Sequence, residues 1–221
     1  MTGPERAAAA PRLRFQLPGQ WFPLDPRDEG AVRRRTREIA RSVIGTADDA
    51  AATRRRVEAG LEDAATTARA ASAELLLLCR EIAPGVPTPI ALTVHSPERV
   101  RMTPAAGTDP ERVMDVFEES LRAIGDPDAA TATRLRVPGT AVLRLHAVTP
   151  QLIEEGGERA VQNRLTARYW YTVPGEKRLT LVSLTTPLGD IPHAMLRFFD
   201  SIVEASSWAP ADPHVETPPS P

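Results

Sequence analysis

The stretch Arg164-Leu-Thr-Ala-Arg-Tyr-Trp-Tyr-Thr-Val-Pro-Gly-Glu-Lys-Arg-Leu-Thr-Leu-Val-Ser-Leu-Thr-Thr186 decides the fold. Two runs rich in β-branched and aromatic residues, Arg164 to Val173 and Arg178 to Thr186, flank Pro174-Gly175, a pair that favours a reversal of the chain. The reading is a β-hairpin. Because successive strand residues point to opposite faces, a core on the side of Tyr169 and Tyr171 sends Trp170 the other way. Just downstream, Asp190 and Pro192 open a helix whose Ile191, Met195, Phe198, Phe199, Ile202 and Val203 give an apolar face to about Ser206, with Trp208 beyond.

Upstream of the hairpin the pattern is again strands with helices between them. Arg134 to Val137 and Ala141 to Val148 alternate at period two around Pro138-Gly139, predicting a second strand pair. Asp109-Pro110-Glu111 supplies an N-cap and a proline at the first helical position, and Val113, Val116, Phe117, Leu121 and Ile124 form a helical face before Gly125. Ala73 to Ile82 reads as a central strand covered on both faces. Pro89 to Val94 reads as its neighbour, after a loop holding Pro84, Gly85, Pro87 and Pro89. From Asp28 to Ala71 two helices are expected, one capped by Asp28 and stopped at Gly45, with Val32, Ile39, Val43 and Ile44 inward. The second starts near Thr46 or Asp48 and carries only Val57 and Leu61 as large apolar residues, so it should pack through small side chains. Leu13, Phe15 and Leu17 lie on one face of a strand from Arg12 to Leu17, ended by Pro18-Gly19, and Trp21, Phe22 and Leu24 follow in a loop that plugs the core. Together these elements give one α+β domain, residues 12–208, built on a mostly antiparallel sheet. The Ala-rich residues 1–11 and Pro-rich residues 209–221 have no hydrophobic period and are expected to be disordered tails.

A 221-residue chain with 42% apolar residues, 25% charged residues and a formal net charge of -2 is ordinary for a globular protein and singles out no partner. Met1 to Pro11 holds no apolar run long enough for a signal peptide, and the longest apolar run, Leu75 to Cys79, is far short of a membrane span. These features predict a cytoplasmic chain without membrane insertion. The triplets Arg33–Arg35 and Arg54–Arg56 are the one pattern suggestive of nucleic acid. Glu29, Glu38, Asp48, Asp49, Glu58, Glu62 and Asp63 are interspersed and aromatic residues for stacking are missing nearby, so a solvated helix face is preferred and no nucleic acid is expected.

The chemistry-bearing residues are scattered. Cys79, the single cysteine, follows the apolar run Leu75 to Leu78 and reads as a packed thiol rather than a reactive one. His95, His146, His193 and His214 each lack a second ligand at metal-binding spacing, so no metal is implied. Ser183 and Ser201 lack the glycines of a nucleophile elbow. Glu118-Glu119 and Glu154-Glu155 are adjacent pairs rather than facing ones, and Gly156-Gly157 reads as a turn without a phosphate motif. No catalytic residue and no cofactor follow from this pattern.

Three segments carry a family resemblance. Tyr169-Trp-Tyr-Thr-Val-Pro174, Arg178-Leu-Thr-Leu-Val-Ser-Leu-Thr-Thr-Pro187 and Met195-Leu-Arg-Phe-Phe-Asp-Ser-Ile-Val203, followed by Trp208, resemble a pattern of actinobacterial proteins. In that pattern a YxVP strand pairs with an LxFxTP strand and precedes an FDxI helix. The arrangement is similar to the PsbP-like fold, which LpqN-type proteins share, and Leu17-Pro-Gly-Gln-Trp-Phe-Pro-Leu-Asp-Pro26 looks like its entry. The resemblance implies an α/β/α sandwich with helices packed on both faces of the sheet, and it transfers no catalytic residue. LpqN-type proteins carry a signal peptide and a lipobox, and neither is expected from Met1 to Pro11 here. Two functions stay open: a non-enzymatic accessory or protein-interaction domain, for which the resemblance suggests a tie to secretion, that meets a protein partner through Trp170, and a small-molecule binder or enzyme with a pocket between sheet and helices near Trp21, Arg144 and His146. The first is preferred, because an acid, base or metal motif is lacking.

Overall fold

The computed structural model describes residues 11–97, 107–155 and 158–209. Apart from residues 11 and 209, the expected tails lie outside the described residues, as do Gly156, Gly157 and His214. Four helices, α1 (Glu29–Ile44), α2 (Ala51–Ala70), α3 (Pro110–Ala123) and α4 (Pro192–Glu204), pack against the strands. A two-stranded ribbon joins β1 (Arg12–Arg14) to β9 (Ser207–Ala209). The main sheet holds β2 (Gln20–Leu24), β3 (Leu75–Ala83), β4 (Val86–His95), β5 (Thr133–Val137), β6 (Thr140–Glu155), β7 (Glu158–Thr172) and β8 (Leu179–Thr186). Its order is β2-β3-β4-β8-β7-β6-β5, with every neighbouring pair antiparallel.

The helix starts follow their caps. Asp28 accepts from the Ala31 N–H at 2.9 Å and Asp109 from the Arg112 N–H at 2.9 Å, each satisfying a donor that the helix leaves unpaired. Gly45 ends α1. Asp190 does not cap α4; its carboxylate accepts instead from the Asn163 amide at 2.6 Å, and α4 begins behind Ile191 without a side-chain cap. Val43, expected inward, is exposed near the end of α1, and Ile124 is exposed just past α3.

The sheet separates two cores. On one face α4 places Met195, Leu196, Phe199, Ile202 and Val203 against Tyr169, Tyr171, Val182, Leu184 and Leu92. Leu13, Phe15 and Leu17 pack at the margin of this core, as their alternation implies, although only residues 12–14 are strand. On the opposite face α1 and α2 cover β2 and β3 through Val32, Ile39, Ala65, Ala68, Leu24 and Leu76, and α3 covers β6 through Val113, Met114, Phe117, Leu121, Leu143 and Leu145. Helices therefore lie on both faces. The alanines of α2 allow its backbone to approach the strands closely, and Leu61 is a half-buried margin of that contact.

Three sequence expectations are corrected. Trp21, Phe22 and Leu24 stand in the edge strand β2 rather than in a loop, with Trp21 opposite Cys79 and Leu24 opposite Leu76. Gly19 admits the chain to this edge: at φ +76° its missing Cβ would lie 1.9 Å from the Glu81 carbonyl oxygen. Pro87 and Pro89 lie inside β4, where β8 pairs only with residues 91–95, so their missing N–H groups leave no gap on that side. Finally, β6 and β7 continue well past the expected limits of Val148 and Arg164 and pair with each other out to Glu155 and Glu158.

Candidate functional site

On the face opposite α4 the helices leave part of the sheet bare. The core register places α2 over β3 and α3 over β6, four strand spacings apart, or about 19 Å. Packed helices lie about 8–10 Å apart, so the gap is one helix wide. It forms a trough of about 960 Å³, with Ala91, Thr93, Leu181, Ser183 and Thr185 in its floor. Ala64 and Thr67 belong to its α2 wall and Trp170 lies on the α3 side.

The floor follows from the pleat. Along β8, Val182, Leu184 and Thr186 are buried toward α4, whereas Leu181, Ser183 and Thr185 are only half-buried. Thr93 pairs with Ser183 and Ala91 with Thr185, so hydroxyl-bearing and small side chains share the face. Trp170 points the way its neighbours require: Tyr169 and Tyr171 are wholly buried beneath α4, and the indole crosses to the trough side, where its ring meets Phe117 at 4.8 Å between centroids and a 52° tilt. Its Nε1 is buried and makes no hydrogen bond. The exposed charges of Asp63 and Arg164 also line the trough, and neither enters an ion pair among the described residues. His95 closes one end. Its Nδ1 lies 3.0 Å from the Ala71 carbonyl and its Nε2 2.9 Å from Thr93 Oγ1, and burial lowers its pKa below the ordinary histidine value.

The other expected pocket does not come together. Trp21 sits on β2, five strand spacings from Arg144 and His146 on β6, roughly 24 Å across the sheet. Arg144 is instead bound to Asp200 of α4, whose other oxygen accepts from the Tyr169 hydroxyl at 2.8 Å, and it donates to Thr133 Oγ1 at 3.1 Å. Burial, and then this Asp200 contact, push the Tyr169 phenol far above its usual pKa, so it stays protonated and donating. His146 is held through its backbone by Thr131, and burial followed by the Arg144 charge lowers its pKa. This cluster ties α4 to the sheet.

The remaining reactive types are dispersed. Burial pushes the Cys79 thiol up to about 11, with the nearby Glu81 carboxylate adding to the rise, which disfavours the thiolate. Ser201 lies on the exposed side of α4 and donates to the Phe198 carbonyl at 2.7 Å. Glu118 binds Arg134 at 2.8 Å and Glu119 is exposed beside it, while Glu154 pairs with Arg159 at 3.5 Å. Among the described residues no three His, Cys, Asp or Glu converge as metal ligands, and no helix is long and apolar enough to cross a membrane.

Sequence reasoning singled out Trp170 but missed Thr93, Leu181, Ser183 and Thr185. Their signal was the alternation of Val182 and Leu184 with Ser183 and Thr185, which marks a strand with one dry and one half-wet face.

No family model matches the chain, and no curated protein does. Among solved structures, it is similar to LpqN of Mycobacterium tuberculosis, a protein involved in cell envelope biogenesis, at 11% identity over 93% of this chain and 88% of that one, with a TM-score of 0.38. A protein of Bacteroides thetaiotaomicron VPI-5482 is similar at 12% identity over 63% of this chain and 40% of that one, with a TM-score of 0.30.

Proposed function

We propose that this chain is a non-catalytic accessory domain that binds a partner protein by taking one amphipathic helix of it into the trough. The gap between α2 and α3 carries the reading: its width suits one helix layered on the sheet, and its volume of about 960 Å³ matches roughly two turns of a helix about 10 Å across. The floor offers apolar and hydroxyl surface with the half-buried Trp170 as an anchor, a residue type favoured at the centre of interfaces. Asp63 and Arg164 give the partner a charge of each sign to meet. A protein partner is favoured over nucleic acid because the arginine triplets are partly engaged: Arg33 and Arg35 pair with Glu29 and Glu38, and Arg54 donates to the carbonyls of Gly45 and Ala47. The PsbP-like assignment belongs to the same proposal, supported by the YxVP and FDxI segments standing in a strand of the central hairpin and in the helix behind it.

A photo-crosslinking phenylalanine at Ser183, with a control at Ser201 on the far side of the sheet, tests this. We expect protein adducts from position 183 alone, and a synthetic peptide of the adducted segment that becomes helical on binding the chain and loses affinity about tenfold with Trp170→Ala. Adducts from both positions, or a segment that binds without becoming helical, would overturn the reading. The second reading, a small-molecule pocket, rests on the trough volume, which falls at the upper end of ligand cavities; adducts only to a small molecule would establish it instead.

A further inference from the structure

His95 and Thr93 are two residues apart on β4, and both line the trough. The hydrogen bonds around them have a fixed direction. A carbonyl oxygen can only accept, so the Ala71 carbonyl, 3.0 Å from His95 Nδ1, requires the ring proton to be on Nδ1. In the neutral ring Nε2 is then bare and can only accept, and the Thr93 hydroxyl 2.9 Å away donates to it. With its hydrogen committed to His95, Thr93 Oγ1 has lone pairs alone to offer the trough, and among the described residues no donor fills them. Burial keeps the ring neutral, against smaller opposing pulls from the Ala71 carbonyl, Glu74 and the Ser72 backbone. The other charges nearby are few. Asp63 of α2 is about two turns before Ala71, and β8 sets the uncharged Leu181 opposite His95. Arg168 of β7, in register with Ser183, is held by Asp126 and Asp128 at 3.4 and 2.7 Å.

We infer that the partner helix sets a side-chain N–H donor, from Asn, Gln, Lys or Arg, on Thr93 Oγ1, and that His95 is the switch that permits or forbids this contact. The inference rests on the partner-binding reading and specifies the partner's chemistry at the end of the trough that holds the anchor, where His95, Leu181 and Trp170 form one cross-strand row and Thr93 and Ser183 belong to the next. A helix laid on the floor removes Thr93 Oγ1 from water, and a buried acceptor needs a donor. The helix's own backbone N–H groups are spent within it, so a side chain must supply one. When His95 takes up a second proton, Nε2 becomes a donor and Thr93 Oγ1 accepts from it. The hydroxyl hydrogen then turns into the trough, where it meets the partner's hydrogen and the contact is lost. The neutral ring is therefore the binding form. Affinity is complete at pH values above the titration of His95 and is lost as pH falls through it, because the free chain takes up the proton more readily than the complex.

Long-range proton–nitrogen correlation spectra of the free full chain at pH 7.5, with His95 assigned by the signals lost in His95→Asn, read the tautomer with no partner present. We expect a protonated Nδ1 and a bare Nε2; a protonated Nε2 overturns the inference. The second measurement titrates the full chain at pH 7.5 and 5.5 with a synthetic peptide of the segment crosslinked at Ser183, near-ultraviolet circular dichroism showing that the chain is folded at both. Affinity should be about tenfold lower at pH 5.5, the worth of one hydrogen bond. In His95→Asn, which keeps a donor for the Ala71 carbonyl but has no titrating nitrogen, the loss should shrink to less than about twofold. Replacing the peptide's donor by Met should cost about tenfold at pH 7.5 against the wild-type chain and less than about twofold against Thr93→Val, which has no oxygen for it to meet. Equal affinity at the two pH values, tighter binding at pH 5.5, a loss undiminished in His95→Asn, or a peptide without such a donor overturns this inference and leaves the partner-binding reading standing. Absence of any protein adduct at Ser183 overturns both, so the two failures are distinct.

Discussion

Tyr169 and Trp170 are neighbours in the chain and belong to opposite environments. The face that Tyr169 serves is closed by α4: Phe199, Ile202 and Val203 seal it, Tyr171 reaches the Ser206 hydroxyl at 3.2 Å, and the Asp200 carboxylate gathers Tyr169 and Arg144. The face that Trp170 serves is covered only at its two ends and holds small and hydroxyl-bearing side chains between them. One sheet thus separates a surface finished by its own chain from one left open. The difference teaches where stability and binding are divided: substitutions under α4 should cost folding, and those in the trough should cost binding.

Four measurements would sharpen or break that division. The largest effect belongs to Phe199→Ala, which empties the centre of the closed face and should lower unfolding free energy by about 3–5 kcal/mol in urea titration; a loss no larger than at Trp170 would erase the distinction. Trp170→Ala forfeits the Phe117 contact but only half-buried surface, and should cost about 2 kcal/mol, whereas Trp170→Phe should stay within about 0.5 kcal/mol by keeping the ring and dropping the unpartnered Nε1. Tyr169→Phe removes one donor from Asp200 while Arg144 keeps the other oxygen bound, for about 1 kcal/mol. The smallest effect is on pH dependence. His95 and His146 are lowered, both chiefly by burial, so the unfolded chain binds more protons just below its ordinary histidine pKa of about 6.5. Their contribution is complete well above that value and is lost as pH falls through it, so the urea midpoint should fall between pH 7.5 and 5.5 and fall less in His95→Gln. A midpoint that rises on acidification in that window would contradict the buried placement of both rings.

Much of the architecture was legible because it depends on local rules. Asp28 and Asp109 as caps, Pro174-Gly175 as a turn and the apolar face of α4 are written within a few residues of the elements they define. What escaped depends on partners distant in sequence. Pro23, Pro87, Pro89 and Pro150 look like strand breakers until the topology shows that each stands where a neighbouring strand is missing on one side. The pairing of β6 with β7 beyond Val148 was missed for that reason. The trough was legible only in part: Trp170 could be assigned to its face from the pleat, but the gap itself is a spacing between α2 and α3, and alternation within one strand does not report which neighbouring strands lack a helix.

The small ribbon of β1 and β9 carries a consequence for how the molecule assembles. Leu13 pairs with Trp208, so the two ends of the described chain leave the body side by side. A contact between residues so far apart in sequence closes the largest loop the topology contains and should be among the last to form, after the hairpins have consolidated. Joining the ends through a short linker and reopening the chain at the Pro174-Gly175 turn would exchange that late step for an early one, and such a permutant should reach the same structure along a reordered route.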